Sequence, residues 1–539
     1  MIKKRLNTKS IKLPRADEHV KSALVSASAT LIRAQRSPDE AFGDLFRDVQ
    51  TTRIYGDGKT FADLVPKKRV REIKKEYDLA KKDPQFNLKE FVSRHFYEFV
   101  PHGHIEYKVE SGTTARQHVS NLWKVLERRN RRNRGSLFAL PHKYLVPGGR
   151  FQEQFYWDSY FIMLGLASDG HWATIHGMLK NYAHMLRRFG FIPTANRTYF
   201  LSRSQPPFFS YMVTLLAEHR GKARTYFEFL PSLLMEYRFW MKGRRSIHTH
   251  AENQAFSRVV KMPDGSVLNR YFDNKTTPRP EMQGDDLEIA GQARSTNKDK
   301  IFLDFRAAAE SGWDFSSRWF RDPKEIQSIH TTDIVPVDLN CLLYHHENIL
   351  ADSYKMLRQP MFIKKFLKLA AKRADSINKY CWDEKEKFYC DYDFRIGQST
   401  GRITMAGVFP LYAGIASAEQ AKHVAKRIEK DFLKEGGLVA TLEDNGQQWD
   451  APNGWAPLQW VAILGLRHYG YGGLANEIRD RWLKSNELVF ARKQKMLEKY
   501  NVVEAGSDGK GGEYPVQDGF GWTNGVYATL KDEVSGGIM

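Results

Sequence analysis

The 539-residue sequence has few cysteines and no long apolar run. Its three cysteines, Cys341, Cys381 and Cys390, form no C-x-x-C pair, and an odd number favours a reducing compartment over a disulfide framework. No run of about 18 apolar residues occurs, so we predict no transmembrane helix. Polar residues follow the basic start, where a signal peptide would need an apolar core. We therefore expect a cytoplasmic protein, or a periplasmic one if the true start lies upstream.

Positive charge and aromatic residues are abundant instead. The 83 Lys and Arg exceed the 63 Asp and Glu, which gives a net charge of +20. Such an excess indicates either a polyanionic partner or a solvated basic surface. The densest basic runs, Lys67–Lys75 and Arg128–Arg134, lack the interleaved aromatic residues on which nucleic-acid bases stack. We therefore expect no specific nucleic-acid partner and no membrane partner.

Helical periodicity dominates the chain from about residue 115. Apolar residues between Ile175 and Leu186 recur at three- and four-residue intervals, as in an amphipathic helix. The same pattern predicts helices over Tyr226–Met241, Phe362–Asn378, Gln420–Leu433 and Leu474–Tyr500. A short hairpin is predicted at Cys381–Asp393. Because no fixed repeat period is present, an all-α chain of this length favours a closed double ring of helices over a solenoid.

Three segments combine glycine, tryptophan and carboxylates with arginine, glutamine or asparagine: 147–160, 448–457 and 511–525. Sugars have apolar C–H faces and a rim of hydroxyls, so their sites need aromatic walls beside bidentate polar groups. One such segment alone is equally typical of a core tryptophan with a capping aspartate, but three together favour a polyol site. Asp314 lies between two aromatic residues, a setting that raises the pKa of a carboxyl group as a general acid requires. Glu498, taken alone, is typical of a solvated helix residue.

Pro147–Tyr160 and Gln448–Pro457 resemble the two signatures of the trehalase family, glycoside hydrolase family 37. The similarity extends from about Asp44 to Val526. It implies an all-α fold, an (α/α)6 toroidal barrel, which we place at residues 67–539 behind an N-terminal helical extension at residues 1–66. It also implies hydrolysis of α,α-trehalose to two glucose molecules with inversion, without cofactor or metal ion.

The resemblance further implies the roles of individual residues. Asp314 lies in Ser311–Trp319, which has the family's sequence SGWDFSSRW, and matches the general acid; Glu498 matches the general base. The positions that match substrate contacts are Arg150, Trp157, Asp158, Thr194, Arg203, Gln205, Arg279, Glu281, Gly312 and Glu513. Thr194 departs from the family, which has asparagine there. Because threonine lacks the second polar group of the amide, we expect a weaker or altered substrate contact.

Several alternatives stay open. The departure at Thr194 and Ala195 leaves room for another α-glucoside or a compatible solute as the substrate of the same barrel. A sugar-binding protein without turnover is disfavoured because Asp314 and Glu498 both lie in intact motifs. A polyanion-binding protein would show salt-sensitive retention on nucleic acid. The leading prediction is a monomeric enzyme whose partner is the small molecule trehalose.

Overall fold

The computed structural model describes residues 36–99, 107–248 and 255–536. Within these ranges the chain forms nineteen α-helices: α1 (Pro38–Phe42), α2 (Asp44–Thr51), α3 (Gly58–Asp63), α4 (Val70–Ala80), α5 (Leu88–His95), α6 (Ala115–Leu126), α7 (Tyr156–Ser168), α8 (Trp172–Phe189), α9 (Phe209–Arg220), α10 (Lys222–Trp240), α11 (Gln283–Gln292), α12 (Lys298–Ser311), α13 (Val337–Met356), α14 (Pro360–Tyr380), α15 (Phe409–Tyr412), α16 (Ala418–Arg427), α17 (Ala456–His468), α18 (Gly472–Lys493) and α19 (Gly521–Val534).

Short antiparallel strands join these helices into seven small sheets in the same described ranges. The strands are β1 (Val65–Pro66), β2 (Phe96–Tyr97), β3 (Glu127–Arg128), β4 (Tyr144–Leu145), β5 (Ala255–Phe256), β6 (Val259–Lys261), β7 (Val267–Asn269), β8 (Ile334–Val335), β9 (Trp382–Asp383), β10 (Phe388–Tyr389), β11 (Tyr392–Asp393), β12 (Gln398–Ser399), β13 (Leu433–Lys434), β14 (Gly437–Leu438), β15 (Asn453–Gly454), β16 (Tyr500–Asn501) and β17 (Ser507–Asp508).

The long helices form two concentric rings. The inner ring runs α7, α9, α13, α15, α17 and α19, and α19 packs back against α7 to close it. Helices α6, α8, α10, α14 and α18 pack against the outside of this ring, and α16 lies between α15 and α17 in chain order. Helix α7 is buried nearly all round, whereas α8 buries the apolar face that its periodicity predicts. The predicted (α/α)6 toroidal barrel is confirmed.

The individual element predictions are confirmed with one exception. The four helices predicted around residues 175–186, 226–241, 362–378 and 420–433 are present, and β9 pairs with β10 in the predicted hairpin. The fifth helix was predicted to reach Tyr500, which is wrong, because Gln494 takes a left-handed φ of 55° and ends α18. The interpretation of Glu498 as a solvated helix residue is therefore wrong too: it lies in a buried loop after the helix.

The N-terminal helices have a hydrophobic cluster of their own. Phe46 and Phe61 pack there with Phe91, and the cluster reaches the barrel through Phe155 and Phe200. Strand β1, which ends at Pro66, pairs with strand β2 at Phe96–Tyr97, so residues before and after position 66 belong to one packed unit. The domain boundary at residue 66 stays a prediction, and residues 1–35 of the expected extension lie outside the described residues.

Candidate active site

A cavity of about 760 Å³ lies where loops of the barrel meet the N-terminal extension. Three inner helices, α7, α17 and α19, begin at its wall, because Trp157, Trp455 and Trp522 lie at or beside their first residues and line it. The twelve residues selected by resemblance all line this one cavity: Arg150, Trp157, Asp158, Thr194, Arg203, Gln205, Arg279, Glu281, Gly312, Asp314, Glu498 and Glu513. Residues more than 360 positions apart in the sequence thus meet around one space.

Asp314 lies in the loop that follows α12. Gly312 ends that helix with a φ of 75°, and a Cβ there would lie 2.9 Å from the indole of Trp157, so the turn requires glycine. Burial and the negative charge of Glu513 together raise the pKa of Asp314 to about 7, although Arg279 opposes both. At neutral pH about half of the Asp314 carboxyl groups are therefore protonated.

The two rings beside Asp314 in the sequence do not line the cavity. Trp313 stacks on Trp449 with a centroid distance of 5.2 Å, and Phe315 lies beneath the guanidinium of Arg279 at 4.7 Å. The raised pKa of Asp314 thus comes from its general burial and from Glu513. Adjacency to aromatic residues in the sequence thus indicated a carboxyl group whose pKa is raised, but the cause is different from the one expected.

Glu498 is 1% exposed. The hydroxyl of Tyr514 donates a hydrogen bond of 2.9 Å to Oε1, whereas Oε2 has no hydrogen-bond partner among the residues described. Burial raises the pKa of Glu498, and the charge of Lys499, the Tyr514 hydrogen bond and Arg150 lower it. One oxygen of this carboxylate is held in place, while the other is buried without a hydrogen-bond partner among the residues described.

Asp158 is a third carboxyl group of the cavity. Burial, with a smaller contribution from the negative charges of Glu498 and Asp314, raises its pKa to about 8, so Asp158 interacts electrostatically with both. With Glu281 and Glu513, five carboxyl groups share the cavity with three arginines. No group of three or more His, Cys, Asp or Glu side chains in the described part of the chain is placed to hold a metal ion.

The arginines of the cavity are held by acidic residues, and two of them, Arg150 and Arg203, have N–H groups without a partner among the residues described. Arg279 Nη2 lies 2.6 Å from Asp286 Oδ1 and 2.7 Å from Glu513 Oε1. Arg203 donates to Glu281, and its Nε and Nη1 have no hydrogen-bond partner among the described residues. A buried guanidinium with unused N–H groups is suited to donate to sugar hydroxyls.

Thr194 uses its only side-chain proton within the protein. Its hydroxyl donates to the carbonyl oxygen of Ser204 at 2.8 Å. A hydroxyl with its proton placed in this way can only accept a hydrogen bond from a ligand. The neighbouring Gln205 accepts a hydrogen bond of 3.1 Å from the backbone N–H of Trp157, which fixes its side-chain oxygen.

The N-terminal extension contributes residues to the site that the sequence reasoning missed. Lys59 lines the cavity, and its Nζ lies 3.0 Å from Glu153 Oε1. Gln50 Nε2 donates to the carbonyl oxygens of Gly58 and Pro280, both at 2.7 Å, and so ties the extension to the loop that carries Arg279. These contacts join residues far apart in the sequence, and no local pattern predicts them.

The remaining walls are mostly aromatic. Trp449 and Trp455 stack with a centroid distance of 3.9 Å and an interplanar angle of 4°. The further lining residues are Phe151, Phe155, Phe200, Met282, Ala309, Tyr514, Phe520 and Trp522. The glycine- and tryptophan-rich segments do supply aromatic walls, as predicted. Tyr514 directly follows Glu513 in such a segment, and that adjacency was the available signal for it.

A family model described as Trehalase matches residues 53–535 of the sequence. The chain belongs to the trehalase family. It is therefore a glycoside hydrolase that cleaves trehalose. Among its relatives are the periplasmic trehalases of Salmonella agona (strain SL483) and Salmonella paratyphi B (strain ATCC BAA-1250 / SPB7). Each is 43% identical over 530 residues, which cover 97% of this chain and 92% of theirs.

Solved structures of the family and of its fold are similar to this one. The neutral trehalase Nth1 from Saccharomyces cerevisiae has a TM-score of 0.58 at 26% identity, over 78% of this chain and 80% of that one. A GH63 mannosylglycerate hydrolase from Thermus thermophilus has a TM-score of 0.51 at 18% identity, over 77% of this chain and 99% of that one. The second likeness supports the fold alone.

The expected cytoplasmic location is wrong, because relatives 43% identical over most of the chain are named periplasmic trehalases. The cysteine count misled for a physical reason. All three thiols are buried and unpaired, and burial raises the pKa of each, so they are protected from oxidation in any compartment. Among the residues described, the longest helices are too polar or too short to cross a lipid bilayer.

Proposed function

We propose that the enzyme hydrolyses α,α-trehalose with inversion, with Asp314 as general acid and Glu498 as general base. The observation that carries this proposal is the contrast between the two carboxyl groups in one cavity. Asp314 has a pKa of about 7 and so remains partly protonated. Glu498 has one oxygen held by Tyr514 and the other without a partner among the residues described. An inverting hydrolase requires this division of roles.

In the proposed reaction the substrate lies between the two groups. Asp314 donates its proton to the oxygen of the glycosidic bond while Glu498 removes a proton from a water that attacks the opposite face of the ring. The proposed substrate contacts are Arg150, Trp157, Asp158, Thr194, Arg203, Gln205, Arg279, Glu281, Gly312 and Glu513. The arginines donate to sugar hydroxyls, the carboxylates accept from them, and the tryptophans cover the C–H faces.

Isosteric variants test the two roles. We expect Asp314→Asn and Glu498→Gln each to lower kcat for trehalose by about 10²- to 10⁴-fold, because each loses a proton-transfer group and keeps its shape. Circular dichroism and thermal melting show whether the fold is intact. A folded variant that turns over trehalose near the normal rate contradicts the assignment.

Proton NMR of the first products tests the stereochemistry. Inversion of α,α-trehalose releases one β-glucose from the attacked ring and one α-glucose as the leaving group. We expect equal amounts of the two anomers before mutarotation. Release of α-glucose alone rules out inversion.

A second candidate substrate follows from Thr194. Since its proton is held by Ser204, the cavity lacks a donor at this position, and another α-glucoside or a compatible solute could fit as well. Assays with maltose and sucrose beside trehalose decide between them. Turnover of either sugar without turnover of trehalose would overturn the proposal.

We also propose that the enzyme acts in the periplasm, on the strength of its relatives' location, and as a monomer. Cell fractionation against cytoplasmic and periplasmic marker enzymes tests the first statement. Light scattering coupled to size-exclusion chromatography tests the second, and a mass of twice 62.4 kDa would contradict it.

A further inference from the structure

The fold brings the two densest basic runs of the sequence together. Gly135, which follows the run Arg128–Arg134, lies so close to the end of the extension that a Cβ on it would be 2.9 Å from the carbonyl oxygen of Leu64. The run Lys67–Lys75 begins three residues after Leu64. The end of one run and the start of the other, about 60 positions apart in the sequence, therefore lie close together on one face of the molecule.

This face contains a cleft of about 690 Å³, which we name the arginine cleft. It is lined by Phe99, Arg129, Asn130, Arg131, Arg132 and Arg134. Four arginines thus line one space, and no carboxylate is among the lining residues that the structure describes. The ring of Phe99 forms part of the wall, and the guanidinium of Arg134 lies 5.6 Å from its centroid. The cleft shares no residue with the active-site cavity.

The four arginines of the cleft have no acidic partner among the residues that the structure describes. Two acidic residues within or beside the basic runs are paired with lysines: Glu127 with Lys143 at 2.6 Å, and Glu76 with Lys68 at 2.7 Å. Like charges gathered without counter-charge repel one another, so an anion that enters the cleft relieves that repulsion.

The loop that carries the arginines is held in a defined shape. Asn133 Oδ1 accepts a hydrogen bond of 2.8 Å from the backbone N–H of Ala139. Arg134 and Leu137 exchange two backbone hydrogen bonds of 2.8 and 2.9 Å. Because the loop is already fixed, less conformational entropy is lost when its guanidinium groups bind a ligand, which favours affinity.

We propose that the arginine cleft is a binding site for phosphate groups, outside the active site. A planar guanidinium group can donate two parallel hydrogen bonds to two oxygens of a phosphate, and four arginines along one cleft suit a ligand that carries several phosphates. Such groups are found both in free oligophosphates and in anionic lipid headgroups. The site would hold the enzyme to a phosphate-bearing molecule or surface while the sugar cavity stays open.

Two probes distinguish these sources: sodium tripolyphosphate in calorimetric titrations, and phosphatidylcholine vesicles with and without phosphatidylglycerol in sedimentation. We expect the intact enzyme to bind at least one probe. The double variant Arg131→Ala/Arg132→Ala should bind it about 10- to 100-fold more weakly, because it loses two charged contacts that are each worth up to about a factor of ten. Both side chains are exposed, so the variant should fold and hydrolyse trehalose normally.

The matched control is Arg71→Ala/Lys75→Ala on α4. It removes the same charge from exposed positions of the other basic run, outside the cleft. We expect the affinity of this control for the probe to stay within about twofold of that of the intact enzyme, since net charge alone gives only a diffuse attraction. The variant Arg131→Lys/Arg132→Lys keeps the charge but loses the bidentate geometry of the guanidinium group, so it should bind the probe more weakly than the intact enzyme does. The proposal is overturned if neither probe binds, or if the control loses as much affinity as the cleft variant.

Discussion

Replacing Glu513 by glutamine should move the alkaline limb of the pH–rate profile to lower pH. The proposed general acid must be protonated, so we expect activity to be lost as the pH rises through the pKa of Asp314. The negative charge of Glu513 raises that pKa, and Arg279, 3.8 Å from Asp314, lowers it. Without the charge of Glu513 the arginine acts unopposed, the pKa falls, and the loss of activity begins at a lower pH.

The size of the effect follows from the protonated fraction. An aspartate with the ordinary pKa of about 3.9 is about 0.1% protonated at pH 7, whereas one with a pKa of about 7 is about half protonated. The environment therefore increases the acid form roughly 500-fold. A nearby like charge contributes about one pKa unit or more to such a shift, so the limb of the Glu513→Gln enzyme should move by about one unit.

The assay is the pH dependence of kcat/KM for trehalose, which reports the ionisation of the free enzyme. Glu281→Gln is the matched control, because Glu281 also lines the cavity but contacts Arg203. Both variants should lose activity at the pH optimum, and only Glu513→Gln should show a displaced alkaline limb. If the limbs of both variants coincide with that of the intact enzyme, Glu513 does not set the pKa of the acid and the reasoning fails.

Three further variants test the supporting contacts. Tyr514→Phe removes a hydrogen bond that lowers the pKa of Glu498, so the acid limb of the pH–rate profile should move to higher pH by about one pH unit. An acid limb that does not move contradicts this prediction. Asp57→Asn keeps the N-terminal cap of α3 but loses the 3.2 Å ion pair with Arg150. The KM for trehalose should therefore rise up to about fivefold without a change in melting temperature. Asp57→Ala also loses the cap, so it should in addition lower the free energy of unfolding by about 1 kcal/mol. Gly312→Ala places a Cβ at a positive φ, so it should lower the free energy of unfolding by about 1–2 kcal/mol and should also lower kcat/KM. Full activity of this variant would show that the turn tolerates a side chain.

The helical architecture could be predicted because it depends on local apolar periodicity. The end of α18 could not, since the left-handed residue is Gln494 where a glycine would have marked the stop. The twelve site residues were found through resemblance; composition alone indicated only sugar-binding segments. Lys59 was missed because a single lysine in a polar stretch carries no signal, and its place in the cavity depends on contacts between distant parts of the chain.

The parallel start of three inner helices at the cavity wall has an electrostatic consequence. The first turn of a helix carries about half a unit of positive charge from its unpaired N–H groups. Helices α7, α17 and α19 thus direct the positive ends of their dipoles towards a space with five carboxyl groups. Side-chain substitutions can remove an arginine but not this backbone contribution. A redesign for another sugar could therefore exchange the loops and their arginines while the ring continues to favour carboxylate-based catalysis.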